Sequence, residues 1–300
     1  IDPASGLVAP QVNDPGLAAD TGVGWVRVNL ILGSQWRHPL DDKRPQGMTW
    51  AETYRFILDS YRSRGLRIYA LVGHEAVTED PGDRFRDAPG GDPLADPWVQ
   101  QYAGNVLAIA QLFSDQIEVI ETFNEPDDWH GRDRSWIHPG WLAAMLEAVY
   151  RAVRGDTGLA HRRIVSGPLQ GLQGEGKSNG AADYLDRVYQ AGIGMFGWGR
   201  DGRPFPFDGV GYHLYVHERA TDNMDQQALD LDNTYRAYLS QMLDVVRRQE
   251  GVDKPLYVSE AGWFSNGGNR EFCERFQAGS MQVGINRLLA EPSVALVFFF

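Results

Sequence analysis

Two hydrophobic patterns alternate along the 300-residue chain. Short runs rich in β-branched and aromatic residues, each of strand length, fall at Trp25–Leu32, Leu66–Val72, Ile117–Phe123, Arg163–Ser166, Gly209–Tyr215, Leu256–Ser259 and Val294–Phe300. A weaker run, Leu7–Val12, precedes them. The segments between repeat their apolar positions at helical spacing. Trp50, Tyr54, Ile57, Leu58 and Tyr61 share one face of a helix, as do Val99, Tyr102, Val106, Ile109 and Phe113. Leu142, Met145, Leu146, Val149 and Val153 form a third such face. Leu231, Tyr235, Tyr238, Leu239, Met242 and Val246 form another, and Met281, Ile285, Leu288 and Leu289 the last. Pro97 and Pro139 stand near helix starts, where a missing N–H costs nothing.

Strands alternating with helices predict parallel strands joined by right-handed crossovers. Eight strand-like runs in a chain of this length favour a closed (β/α)8 barrel, a single α/β domain spanning residues 1–300 with its last strand at the C-terminal end. No G-x-G-x-x-G follows the first strand, which counts against a dinucleotide-binding sheet. The connections are unequal. Those leaving strands are long, as at Glu75–Asp96, Pro126–Gly140, Gly167–Gly180, Val216–Asp230 and Trp263–Glu271, whereas Ser63–Gly65 and Ser114–Gln116 return in a few residues. In a barrel the long set emerges at the C-terminal face, where active sites are built.

Composition narrows the partner. The chain is 43% hydrophobic and 23% charged, an ordinary globular balance, but its net charge of −12 disfavours nucleic acid and anionic membrane surfaces and suits a neutral substrate. No run approaches the length of a membrane span. Cys273 is the only cysteine, so an intrachain disulfide is excluded and a core or boundary position expected. Both a secreted and a cytoplasmic location fit, with a slight lean to extracellular because the chain starts at Ile1.

Two carboxylic acids close predicted strands. Ile117–Phe123 runs into Asn124-Glu125-Pro126, and Leu256–Ser259 into Glu260-Ala261-Gly262-Trp263. A retaining glycosidase needs such a pair, one acid to protonate the leaving oxygen and one carboxylate to attack the anomeric carbon. His74, at another predicted strand end, is a weaker candidate for substrate contact. Sugars present C–H faces to aromatic rings, and Trp36, Trp129, Trp136, Trp198 and Trp263 are predicted on the working-face side, with Trp263 the leading stacking candidate. Trp25, Trp50, Trp98 and Trp141 read as core. No cluster has zinc or EF-hand spacing, so no metal and no cofactor are expected.

Glu121-Thr-Phe-Asn-Glu-Pro126 resembles the strand-four motif of the clan A glycoside hydrolases, the "4/7" barrels that include cellulase-like and β-xylosidase-like enzymes. Val258-Ser-Glu-Ala-Gly-Trp263 resembles their strand-seven motif, Gly209–Tyr215 their strand-six segment, and Gly24-Trp-Val-Arg-Val28, with Trp36 downstream, their arginine-bearing strand two. The resemblance covers almost the whole chain and implies a retaining hydrolase of β-glycosidic bonds, with a carbohydrate as substrate. By it, Glu125 is the acid/base and Glu260 the nucleophile, which Arg27 helps keep ionised and Tyr215 positions. Asn124 would bond the sugar 2-hydroxyl, and His213 would hold a hydroxyl or orient a carboxylate. Where the family carries a strand-eight tryptophan, this chain reads Ala295-Leu-Val-Phe-Phe-Phe300. Two other classes compete. A non-catalytic carbohydrate-binding barrel is disfavoured by the intact glutamate pair. An aldolase or isomerase would want a Schiff-base lysine at a strand end, and Lys43, Lys177 and Lys254 all lie elsewhere.

Overall fold

A computed structural model describes residues 14–31, 49–77, 82–127, 136–170, 180–216, 223–263 and 270–299. Strands β1 (Trp25–Asn29), β2 (Arg67–Val72), β3 (Ile117–Thr122), β4 (Arg163–Val165), β5 (Val210–His213), β6 (Leu256–Ala261) and β7 (Val294–Phe299) run in parallel. They form ladders in chain order, β1 to β4 and β5 to β7. Bridges Val165↔Gly209 and Leu169↔Tyr212 join the two ladders. The helices are α1 (Pro15–Asp20), α2 (Trp50–Arg62), α3 (Pro97–Leu112), α4 (Pro139–Gly155), α5 (Gly180–Phe196), α6 (Met224–Glu250) and α7 (Arg270–Ala290). The expected strand Leu7–Val12 lies outside the described residues.

Alternation along each strand builds two layers. Tyr69, Val119, Val165 and Tyr257 point inward and meet Trp25, Leu296 and Phe298 in one apolar cluster. The Tyr69 and Phe298 rings, from β2 and β7, are 4.9 Å apart, so the sheet curls on itself. The alternate positions, such as Ile68, Ala70 and Val72 on β2, face the helices and join the large outer core. This is the (β/α)8 barrel fold.

The helix starts follow from local chemistry. Thr49 and Glu52 form a capping box on α2, and the Asp96 carboxylate accepts from the Trp98 and Val99 amides ahead of α3. The predicted faces of α2, α3 and α4 are buried or nearly so. On α7 the prediction fails in part. Leu288 is buried, but Met281 and Leu289 are exposed, because the helix packs through Gly284 against the Trp263 ring. Among the described residues no helix is long and apolar enough to cross a membrane.

Helix α5 falls where no helical face is predicted, and its presence relocates Trp198. A residue after α5 and before β5 lies in a helix-to-strand return, at the end of the barrel opposite the strand C-termini. Trp198 is 2% exposed, donates from Nε1 to Glu147 at 2.8 Å and covers Gly192. A Cβ on Gly192 would stand 2.1 Å from the Trp198 ring. Gly192→Ala should therefore destabilise by about 1–3 kcal/mol despite the better helix propensity of alanine. The urea midpoint measures this, and an unchanged or raised midpoint contradicts the packing account.

Candidate active site

The end of β3 is a strained turn. Phe123 and Glu125 are non-glycine residues with φ of 64° and 44°. Such backbone is costly and persists only where its surroundings over-determine it. Here the Phe123 amide donates to Val72 O at 2.9 Å and to Tyr102 Oη at 2.8 Å, while the Tyr102 hydroxyl donates to Val72 O at 2.7 Å. The Glu125 amide donates to Pro168 O at 3.1 Å. The strand ends at Thr122 rather than Phe123, and the turn aims Glu125 across the barrel mouth.

Glu260 arrives differently. Strand β6 runs on to Ala261, so Glu260 lies within the ladder and pairs with His213. The strand extends past the predicted Ser259 because the Glu260 carbonyl accepts from the Leu214 amide at 2.9 Å. Both Glu260 oxygens are engaged: Arg27 Nη1 donates to Oε1 at 2.7 Å, and Tyr215 Oη donates to Oε2 at 2.7 Å. Burial, reinforced by Glu260, pushes the Tyr215 phenol well above its usual range, so it stays a donor.

Arg27 organises the cluster from β1. Beyond Glu260, its Nε donates to Glu121 Oε2 at 2.8 Å and its Nη2 donates to Asn124 Oδ1 at 3.2 Å. Burial disfavours the guanidinium charge, but Glu121 and Glu260 more than offset this and hold its pKa above the usual value. His213 is buried, and burial, assisted by Arg27 and outweighing Glu260 and Glu121, lowers its pKa to about 4. Its Nε2 lies 3.3 Å from Arg27 Nη2, which can only donate. Nε2 is therefore the acceptor, and Nδ1–H donates to Glu125 Oε1 at 2.7 Å. Arginine thus selects the imidazole tautomer that addresses the second glutamate.

This has a pH consequence. With a depressed folded-state pKa, the unfolded chain binds the extra proton first, so His213 should erode stability as pH falls from 6.5 through about 4. His213→Gln should flatten that part of the profile of urea midpoint against pH. An identical acid dependence in the variant contradicts the assignment.

The structure therefore brings together Arg27, Asn124, Glu125, His213, Tyr215 and Glu260. Oxygen atoms of Glu125 and Glu260 and a nitrogen of His213 all lie within 4.8 Å of one another. These three could ligate a metal ion, although the Arg27 guanidinium, bonded to Glu260 and beside His213, opposes a cation there. His74, just beyond β2, is near this turn, its ring 5.8 Å from that of Phe123 and its Nδ1 3.7 Å from Glu75 Oε2. Trp263 is partly buried in the wall. Its Nε1 donates to Tyr235 Oη at 3.0 Å, and its ring packs on Gly284 of α7 and lies 5.9 Å from Phe299. Trp36 and Trp129 lie outside the described residues. Two members of the network carry no predicted role: Glu121 and Tyr69, whose hydroxyl donates to Glu121 Oε1 at 2.8 Å.

No protein-family model matches the chain, and no curated protein matches it. Solved structures do. A family 39 glycoside hydrolase from the gut symbiont Bacteroides cellulosilyticus WH2 aligns with a TM-score of 0.56 at 16% identity, over 95% of this chain and 52% of that one. The chain thus spans about half of that enzyme's length. A GH5-4 broad specificity endoglucanase from an uncultured bacterium aligns with a TM-score of 0.61 at 13% identity, covering 95% and 76% of the two chains. Xylanase 10B from Thermotoga maritima aligns with a TM-score of 0.59 at 11% identity, covering 98% and 79%. These neighbours are clan A glycoside hydrolases with a barrel fold, and the likeness establishes the same fold here.

Proposed function

We propose that this protein is a retaining β-glycosidase in which Glu125 is the acid/base and Glu260 the nucleophile. The observation that carries the reading is the approach of the two carboxylates, with oxygens within 4.8 Å at the mouth of the barrel. Retaining enzymes hold the carboxyl groups about 5–5.5 Å apart, whereas inverting enzymes need about 6.5–9.5 Å to admit a water between them. The likeness to barrel glycoside hydrolases supports the same reading.

The chemistry divides into two displacements. In the first, protonated Glu125 gives its proton to the glycosidic oxygen as the bond from that oxygen to C1 breaks. A Glu260 oxygen attacks C1 to form a glycosyl ester, and the alcohol departs. In the second, Glu125, now a carboxylate, takes a proton from water, whose oxygen attacks C1 and expels Glu260. The hydrogen bond from His213 Nδ1–H fixes the Glu125 carboxyl through Oε1. Arg27 and Tyr215 fix the plane of the Glu260 carboxylate. The Asn124 carbonyl is occupied by Arg27, so its amide is free to donate to the sugar 2-hydroxyl, a bond that strengthens as the oxocarbenium character grows. His74, with part of its ring exposed beside the Glu125 turn, is positioned for a further hydroxyl.

The test is a screen of 4-nitrophenyl β-glycosides of glucose, galactose, xylose and mannose, followed by proton NMR of the first sugar released. The β-anomer appearing ahead of mutarotation is the expected result. An α-anomer as first product overturns double displacement, and binding of oligosaccharides without turnover overturns the enzymatic reading in favour of a carbohydrate-binding barrel.

A further inference from the structure

Glu121 is a fully buried carboxylate at the level of the site. It accepts from Arg27 Nε through Oε2 and from Tyr69 Oη through Oε1, both at 2.8 Å. The fold makes room for it: a Cβ on Gly211 of β5 would stand 2.9 Å from Glu121 Oε1. Facing groups come from the surrounding elements: Arg27 on β1, Tyr69 on β2, Tyr102 on α3 and His213 on β5, with Glu260 of β6 on the far side of the Arg27 guanidinium. A buried ion pair adds little stability on average, because desolvation offsets the Coulomb attraction, so packing alone does not explain this one.

Charge balance does. Arg27 bonds two carboxylates, only one of which is the proposed nucleophile. Without Glu121, the guanidinium and Glu260 would form a neutral pair, and a neutral pair offers little attraction to positive charge growing at C1. With Glu121, the guanidinium is already compensated, and Glu260 presents a net negative charge to the transition state while keeping its hydrogen bond from Arg27. The buried tyrosine supports this arrangement: burial, reinforced by Glu121, pushes the Tyr69 phenol well above its usual range, so it remains a donor to Glu121.

We infer that Glu121 is a positioning residue that neutralises Arg27, so that the nucleophile keeps its full charge for the developing oxocarbenium ion. The inference rests on the glycosidase reading and adds to it a third carboxylate that never touches the sugar.

The experiment compares Glu121→Gln, nearly isosteric but uncharged, with Glu121→Asp, charged but shorter, using the best substrate from the glycoside screen. E121Q removes one negative charge from the cluster, so both limbs of its kcat/KM profile should move to lower pH, by about one unit for charges this close in a partly buried site. Its kcat should fall about 10- to 100-fold with little change in KM. E121D should keep the wild-type limbs whatever it loses in rate. Unshifted limbs in folded E121Q overturn the proposal and leave Glu121 a packing residue. If E121Q does not fold, the double variant R27Q/E121Q decides. Recovery of folded protein marks the loss of Glu121 from the Arg27 guanidinium as the fault and supports the pairing, whereas continued failure overturns it. Wild-type protein that turns over no glycoside defeats the glycosidase reading instead, so the two failures are distinguishable.

Discussion

Glu260→Gly should abolish turnover of an activated aryl β-glycoside, lowering kcat by about 10⁴-fold or more, roughly 5 kcal/mol of barrel-site catalysis. The size of the effect follows from the role: without the carboxylate no glycosyl ester forms, and the remaining groups cannot replace a covalent step. The fold should survive. Glu260 keeps its place in the ladder through backbone bonds to β5, and Arg27 retains Glu121 as a counter-charge. Azide supplied to E260G fills the space of the lost carboxylate and attacks C1 directly while Glu125 still protonates the leaving group, so a glycosyl azide of inverted configuration should accumulate. Product NMR reads this outcome. Full activity in E260G, or an azide adduct of retained configuration, contradicts the assignment.

Arg27→Met should be the most damaging single change to stability and should lower activity as well. Arg27 bonds Glu121, Glu260 and Asn124 and sets the His213 tautomer. Its loss strands Glu121, buried at 0% exposure, with only a tyrosine hydroxyl for company. Breaking a buried pair by removing one partner costs about 3–5 kcal/mol, far more than the intact pair contributes. Arg27→Lys restores a positive charge but not a fork that reaches several acceptors at once, so it should recover stability better than it recovers kcat. Chemical denaturation of both variants, with kinetics on Arg27→Lys, tests this. Equal stability of R27M and wild type contradicts the account of the network.

Much of this was legible in the sequence because a barrel places strand C-termini on one face. Once Glu125 and Glu260 are read at strand ends, their convergence follows from the fold, whereas Arg27, His213 and Tyr215 were legible only through the resemblance to clan A glycoside hydrolases. Trp198 shows the cost of missing one element. Without α5, the loop holding Trp198 looks like a strand exit, and a buried tryptophan looks like a sugar platform. The spacing of Ala181, Tyr184, Leu185, Val188 and Tyr189 carries the signal for that helix. Glu121 drew no role from the sequence. It stands two residues after Val119 on β3 and so shares its inward face, but only the three-dimensional structure pairs it with Arg27 and Tyr69. The strained φ angles at Phe123 and Glu125 were beyond reach, since they depend on Tyr102 and Pro168, which are distant in the chain. Trp263 was read from its neighbours in sequence, and its ring contacts with α6 and α7 come from packing that no local pattern encodes.

The most direct test of the central claim is covalent trapping of the nucleophile. The protein is incubated with 2,4-dinitrophenyl 2-deoxy-2-fluoro-β-glycosides of the sugars that turn over, and the labelled peptide is identified by mass spectrometry. The fluorine slows both displacements and the good leaving group restores the first, so the glycosyl ester should accumulate. One 2-fluoroglycosyl unit on the peptide holding Glu260, absent from E260G, is the predicted result. A label on Glu125, or turnover of the unfluorinated glycoside with no ester trapped on Glu260, would contradict it.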